Sequence, residues 1–259
     1  MKKFLTATAA AALMTAAGSV AAEDVKIGVL LGYTGPIESL AGNMAQGAEL
    51  AMEEINSAGG ILDGDMLVPV RADTGCIDNG LATSNAERLI AEGVKGIVGG
   101  DCSGVTGAIL QNVARANGMV MISPSATSPA LSTAEDDDLF FRTAPSDARE
   151  GEVMAEILKE RGIESIALTY TNNDYGKGLA DAIESSFKAA GGEVTIVAAH
   201  EDGRGDYSSE VAALAAAGGD ILVVAGYLDQ GGLGVIRSAM DAGAWDTFGM
   251  PGGMIGDSI

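Results

Sequence analysis

Short apolar runs alternate with amphipathic stretches along almost the whole chain. Residues 25–32 read as a buried strand. After a Gly35-Pro36 turn, Met44, Ala48, Ala51, Met52 and Ile55 recur at helical spacing until Gly59-Gly60 stops the helix. Residues 67–72 form a second strand, where Pro69 removes a ladder donor and favours an edge or irregular position. A helix over about 80–92, a very short strand over 96–100, a helix over 104–116 and a strand over 120–123 follow. A second series opens with residues 139–143 and a polar Pro145-Ser146-Asp147 turn into a helix over about 148–161. It continues as strand 165–170, helix 176–190, strand 194–199, helix 207–217, strand 221–226 and helix 233–242, with a closing run through Phe248.

Strict strand–helix alternation means parallel sheets covered on both faces, hence an α/β fold. Two series separated near residue 144 suggest two similar Rossmann-like lobes, residues 23–143 and 144–259, rather than one wide sheet. In open α/β sheets ligands bind beyond the carboxyl ends of the strands.

Strand ends in both lobes carry candidate chemistry. One runs into Asp101-Cys102-Ser103-Gly104 just before a helix, and the next runs from Ser123 to Pro129 through Pro124, Ser125, Ala126, Thr127 and Ser128. Hydroxyls and free backbone N–H groups at a helix start are what a carboxylate needs. Ordinary N-capping is the alternative for any single serine here. In the second lobe Tyr175 and Tyr227 follow strand ends and would sit at the mouth of the cleft opposite the serines, or else serve only as half-buried rim residues.

Composition narrows the function classes. Residues 1–22 read as an export signal: Lys2 and Lys3, an Ala-rich apolar run, and Val20-Ala21-Ala22 at the cleavage position. The run is too short for a membrane span, so a soluble protein of a Gram-negative periplasm is expected. Removing it changes the net charge from −21 to −23. So acidic a chain is a poor partner for nucleic acid or anionic membranes. Cys76 and Cys102 fit an oxidising compartment and one disulfide; a Cys-His pair is the alternative, and a zinc site would need more ligands than these sulfurs and the lone His200.

No phosphate-cradling loop or dinucleotide fingerprint is present: Gly28, Gly32 and Gly35 have the wrong spacing. His200 is far in sequence from the candidate loops, so a Ser-His-Asp triad is not expected. Acid runs such as Glu53-Glu54 and Asp136-Asp137-Asp138 read as solvated faces or turns. Nothing demands catalysis, a cofactor or a metal.

From Val25 to about Gly249 the chain resembles the Leu/Ile/Val-binding proteins, type I periplasmic receptors of ABC importers. The segments that carry the resemblance are Thr34-Gly35-Pro36, Asn56 with Gly59-Gly60-Ile61, Asp101-Cys102-Ser103, Ile122 through Pro129, Phe141-Arg142-Thr143, Asp174-Tyr175-Gly176 with Gly178-Leu179-Ala180, Asp206-Tyr207-Ser208, and Gly226-Tyr227. It implies two α/β lobes that close over one ligand, a Cys76–Cys102 disulfide, no enzymatic activity and no cofactor. It implies that Ser103, Gly104 and Thr127 with nearby N–H groups hold a ligand carboxylate. The Ser125 carbonyl would face the ammonium group, Ala126 beside it would also touch the ligand, and Tyr175 and Tyr227 would close from the other lobe. The implied ligand is an amino acid or related carboxylate, the partners are ABC permease subunits of the inner membrane, and the receptor is a monomer. A sensing protein of the same fold that feeds a signalling partner is the alternative.

Two positions depart from the family pattern. Leu40 replaces an aromatic residue, and the acid that pairs with the ligand ammonium aligns with Gly252, leaving Asp229 or Asp257 as substitutes. Family members continue beyond Ile259, so the C-terminal part of the fold is expected to be missing, leaving an exposed apolar face.

Overall fold

The computed structural model describes residues 24–256; the export signal read at residues 1–22 and Asp257 lie outside the described residues. The first sheet is wholly parallel, in the order β2-β1-β3-β4-β5. Its strands are β1 (Asp24–Leu31), β2 (Met66–Asp73), β3 (Ile97–Gly99), β4 (Met121–Ser123) and β5 (Phe140–Arg142). β2 is an edge strand, so Pro69, opposite Ile27, breaks no ladder between two neighbours.

Helix α1 (Glu38–Ser57) places Ala41, Ala45 and Met52 against Val29 and Leu31 on one face of this sheet. On the other face α2 (Asn79–Ala91) and α3 (Ser103–Ile109) bury Leu89, Val105 and Ile109 against Leu30 and Ile97. Asp78 caps α2 by accepting from the Leu81 N–H. The single helix expected over 104–116 is instead three pieces: α3, a π-helical turn at Leu110–Ala114, and α4 (Arg115–Asn117), ended by Gly118 in the left-handed conformation.

The second sheet, also parallel, has the order β7-β6-β8-β9. Its strands are β6 (Ser165–Thr171), β7 (Glu193–His200), β8 (Ile221–Ala225) and β9 (Phe248–Gly249). Helices α5 (Asp147–Glu160) and α6 (Asp174–Ala189) cover one face through Leu158, Leu179, Ile183 and Phe187. Helices α7 (Ser208–Ala217) and α8 (Leu233–Asp241) cover the other through Leu214, Val235 and Ile236. β8 lies in the middle and is buried throughout, which is why its five residues are all apolar.

The separation near residue 144 coincides with the end of the first sheet. Residues 139–143, which open the second series, supply β5, and β5 pairs with β4 to end the first sheet. The chain crosses to the second sheet only afterwards, through α5, whose first turn is capped by the Ser146 hydroxyl.

The two sheets differ in cover. Beside α1 the first sheet keeps an apolar groove of about 470 Å³ between Met44, Met52, Leu67, Val98 and Ile122. Phe141 at its edge strand is 53% exposed. No helix among the described residues is long and apolar enough to cross a membrane.

Candidate functional site

The site forms where the carboxyl ends of both sheets face each other. On the first-sheet side, the loop after β3 is anchored by Asp101, which is 2% exposed. Its carboxylate accepts from the Gly32 N–H, the Thr74 hydroxyl at 3.0 Å and the Cys102 N–H at 3.1 Å, tying the ends of β1, β2 and β3 together. Burial raises its pKa, and these donors oppose the rise. The Cys76–Cys102 disulfide, with Cα atoms 5.2 Å apart, fastens the same corner.

Ser103 opens α3, but its side chain does not cap that helix. Its hydroxyl accepts from the Ser128 N–H at 3.1 Å and so joins the β3 loop to the β4 loop. Within the β4 loop, the Ser125 hydroxyl donates to the Asp101 carbonyl at 2.9 Å, and the buried Ala126 donates its N–H to Ser123 Oγ at 2.9 Å. The Arg142 guanidinium gathers the Ala126 and Ser128 carbonyls at 3.2 and 3.0 Å.

From the second sheet come the tyrosines. Tyr175 stands in the first turn of α6, which Asn173 caps through the Gly176 N–H at 2.8 Å. Tyr227 follows Gly226, whose φ of +146° and packing against Thr171 leave no room for a Cβ. The two rings stack with centroids 4.7 Å apart. Burial raises the pKa of both hydroxyls, so both remain neutral donors and acceptors.

Between the walls lies a cavity of about 200 Å³, lined by Cys102, Ser103 and Gly104 on one side and Asn173, Tyr175 and Tyr227 on the other. A Cβ at Gly104 would lie 3.1 Å from Asp174 Oδ2, so the walls nearly meet there. Four of the sequence-derived residues (Ser103, Gly104, Tyr175, Tyr227) thus share one cavity. Ser125, Ala126 and Thr127 do not line it; Thr127 instead receives the Asp147 N–H on its carbonyl at 2.9 Å. Asp229 is exposed and lines a different cavity with Gly35 and Gln230. Leu40 is exposed on α1.

Two acids near the tyrosines, neither of which lines this cavity, escape a reading of strand ends. Asp147, at the start of α5, is 1% exposed, and its Oδ2 has no hydrogen-bond partner. Burial pushes its pKa up to about 7, the charge of Glu150 adds to the rise, and Thr127 and Arg142 oppose it. Glu150, one turn on, accepts the Gly252 N–H at 2.7 Å, and the next amide, Gly253, donates to the Tyr175 hydroxyl at 3.1 Å. The sequence signal was two acids three residues apart at a helix start, which put both on one face. It is easily taken for simple helix-dipole stabilisation.

A model of the periplasmic binding protein family matches residues 24–257. The chain belongs to the periplasmic binding protein family. The Leu/Ile/Val-binding protein homolog 3 of Brucella melitensis is 36% identical over 246 residues, covering 93% of this chain and 64% of that one. The chain therefore spans less than two thirds of the length of this relative. The branched-chain amino acid transporter substrate-binding protein LivJ of Streptococcus pneumoniae, solved in complex with isoleucine, is 28% identical with a TM-score of 0.75. The match covers 88% of this chain and 64% of LivJ. A solute-binding protein of an R. palustris ABC transporter, solved with 4-hydroxybenzoate, has a TM-score of 0.78 at 18% identity, covering 90% of this chain and 63% of its own, and shows the shared fold alone. Like these structures, this periplasmic binding protein is an α/β chain with parallel sheets.

Proposed function

We propose that this chain is the substrate-binding part of a periplasmic ABC importer, a non-enzymatic receptor that captures an amino acid in the cleft between its two sheets. The observation that carries this reading is the cavity in which the stacked Tyr175 and Tyr227 face Ser103 and Gly104. The first-sheet wall, residues 23–143, offers the Ser103 hydroxyl and loop N–H groups to the ligand carboxylate. The second wall, residues 144–259, brings the tyrosines over the ligand, and Asp147, whose charge acts on both tyrosines from outside the cavity, is the nearby acid that would offset an ammonium group. The relatives' names point to branched-chain amino acids, and the permease of an inner-membrane importer is the matching partner.

Capture between lobes stabilises the closed form by mass action. Melting the chain against L-leucine, L-isoleucine, L-valine, L-alanine and benzoate tests this. The reading expects an upward shift with at least one amino acid, smaller in Ser103→Ala and in Tyr227→Ala. A panel that leaves the melt unmoved, or moves it with benzoate only, overturns the amino-acid assignment.

A further inference from the structure

The crevice between the two walls does not end at the tyrosines. Beside the cavity that holds Ser103 and Tyr227 lies another, of about 470 Å³, lined by Gly35 and Glu38 from the first-sheet side and by Asp202, Asp229 and Gln230 from the second. The second-sheet wall runs on from one cavity to the other. Asn173 lines the first cavity and donates its side-chain amide at 3.2 Å to Gln230, which lines the second. Tyr227 and Gln230 belong to one loop after β8, where the Gln230 N–H donates to the Tyr227 carbonyl at 3.2 Å. On the facing wall, Ile77 is the one residue that lines both cavities.

The chain holds Ile77 in place from both sides. Cys76 before it stands in the left-handed region at φ +60°, is tied to Cys102 by the disulfide, and donates its N–H to the Thr74 hydroxyl at 3.0 Å. The Ile77 N–H donates to the Gly75 carbonyl at 2.6 Å, closing a tight turn, and Asp78 after it caps α2. A β-branched side chain has few χ1 rotamers, so a pinned backbone leaves it little freedom to step aside. Ile77 is 53% exposed and faces the crevice instead of the core. With it in place the cavity at the tyrosines is about 200 Å³, below the roughly 300–1,000 Å³ of pockets that take drug-sized ligands. Without it the two cavities would join into a space within that range.

We infer that Ile77 determines specificity at this site: it is a fixed partition that closes the ligand cavity on the side of Gln230, admits amino acids with short aliphatic side chains and turns longer ones away. The inference rests on the amino-acid reading above and adds to it an upper limit on side-chain length.

Calorimetric titration with L-alanine, L-valine and L-leucine as short ligands, and L-phenylalanine and L-arginine as long ones, tests it. L-arginine is included because Glu38, Asp202 and Asp229 of the neighbouring cavity suit a cation at the far end of a side chain. The unaltered chain should bind at least one short ligand about tenfold or more tighter than either long one. Ile77→Ala should tighten at least one long ligand about tenfold and change that short ligand by less than about threefold. Ile77→Ser, an equally small side chain, should repeat the gain, and Ile77→Leu, which keeps the volume, should keep the limit. Circular-dichroism melts of each variant establish that it folds. Equal binding of long and short ligands by the unaltered chain, or truncation of Ile77 that changes both by the same factor, overturns the inference and leaves the amino-acid reading standing. Binding of none of the five overturns the inference together with that reading.

Discussion

Asp101 and Asp147 are buried to the same degree, on opposite sides of one cleft, and the protein treats them in opposite ways. Asp101 receives donors from three strand ends and holds the first-sheet wall in one shape. Asp147 keeps an oxygen without a partner, and the wall around it is held by glycine amides and a tyrosine stack. Burial raises the pKa of both acids. A satisfied buried carboxylate is a strut; an unsatisfied one is a cost that folding alone does not explain. The first wall is therefore built before any ligand arrives, and the second is left incomplete.

The largest expected effect tests the rigidity of the first wall. Cys76 and Cys102 close a loop of 26 residues, and opening it should cost roughly 3–4 kcal/mol on chain-entropy grounds. Denaturant unfolding with and without reductant measures this; a midpoint that does not move would mean the Asp101 network alone holds the corner. Next in size is Asp101→Ala, which strands the Gly32 and Cys102 amides and the Thr74 hydroxyl. A loss of about 2–3 kcal/mol is expected by the same measurement.

On the second wall the sign reverses. The Asp147 pKa rises to about 7 in the folded chain, so the folded state holds the proton over a range where the unfolded state has released it. Stability from this group is thus complete at low pH and declines as pH rises through 7. Asp147→Asn cannot ionise and should be more stable than the unaltered chain at pH 8, by about 1–2 kcal/mol once local relaxation on ionisation is discounted from the full shift of about 4 kcal/mol, with the gain fading towards pH 4. The same variant should lose amino-acid binding. A variant that is destabilised at pH 8 would place Asp147 with Asp101 among the struts, and the contrast would be gone.

The periodic layers were legible because alternation of buried strands and one-faced helices depends only on local pattern. Pro69 marked its strand as an edge or irregular one, and it is an edge. Residues 139–143 gave a mixed signal: the separation near residue 144 kept them with the first lobe while the pattern opened the second series with them, because a three-residue strand carries no mark of its sheet. Ser103, Gly104, Tyr175 and Tyr227 could be found from strand ends, because topology alone brings those ends together. Asp147 and Glu150 could not. Their place depends on how α5 crosses between the sheets and on Gly252 arriving beside it, a contact across 102 residues that no local pattern encodes.

His200 gives the finest test of whether the incomplete second wall is confined to the acids. Its ring is buried and bonded at both nitrogens, by the Thr169 hydroxyl at 2.9 Å and the Thr171 hydroxyl at 3.2 Å. Thr171 also accepts the Tyr227 N–H at 3.3 Å, so this cluster positions the tyrosine. Burial lowers the His200 pKa to about 4, against nearby Glu210 and Glu201. The unfolded chain binds a proton on this ring near pH 6.5 and the folded chain does not, so stability falls as pH drops from 6.5 towards 4. At pH 5.5 the loss should be about 1 kcal/mol, and His200→Gln should remove that slope from a series of melts between pH 7 and pH 5. If the slope goes and amino-acid binding at pH 7 persists, the Tyr227 side of the wall is a satisfied structure like the Asp101 corner, and the unmet hydrogen-bonding capacity of the cleft is concentrated at Asp147.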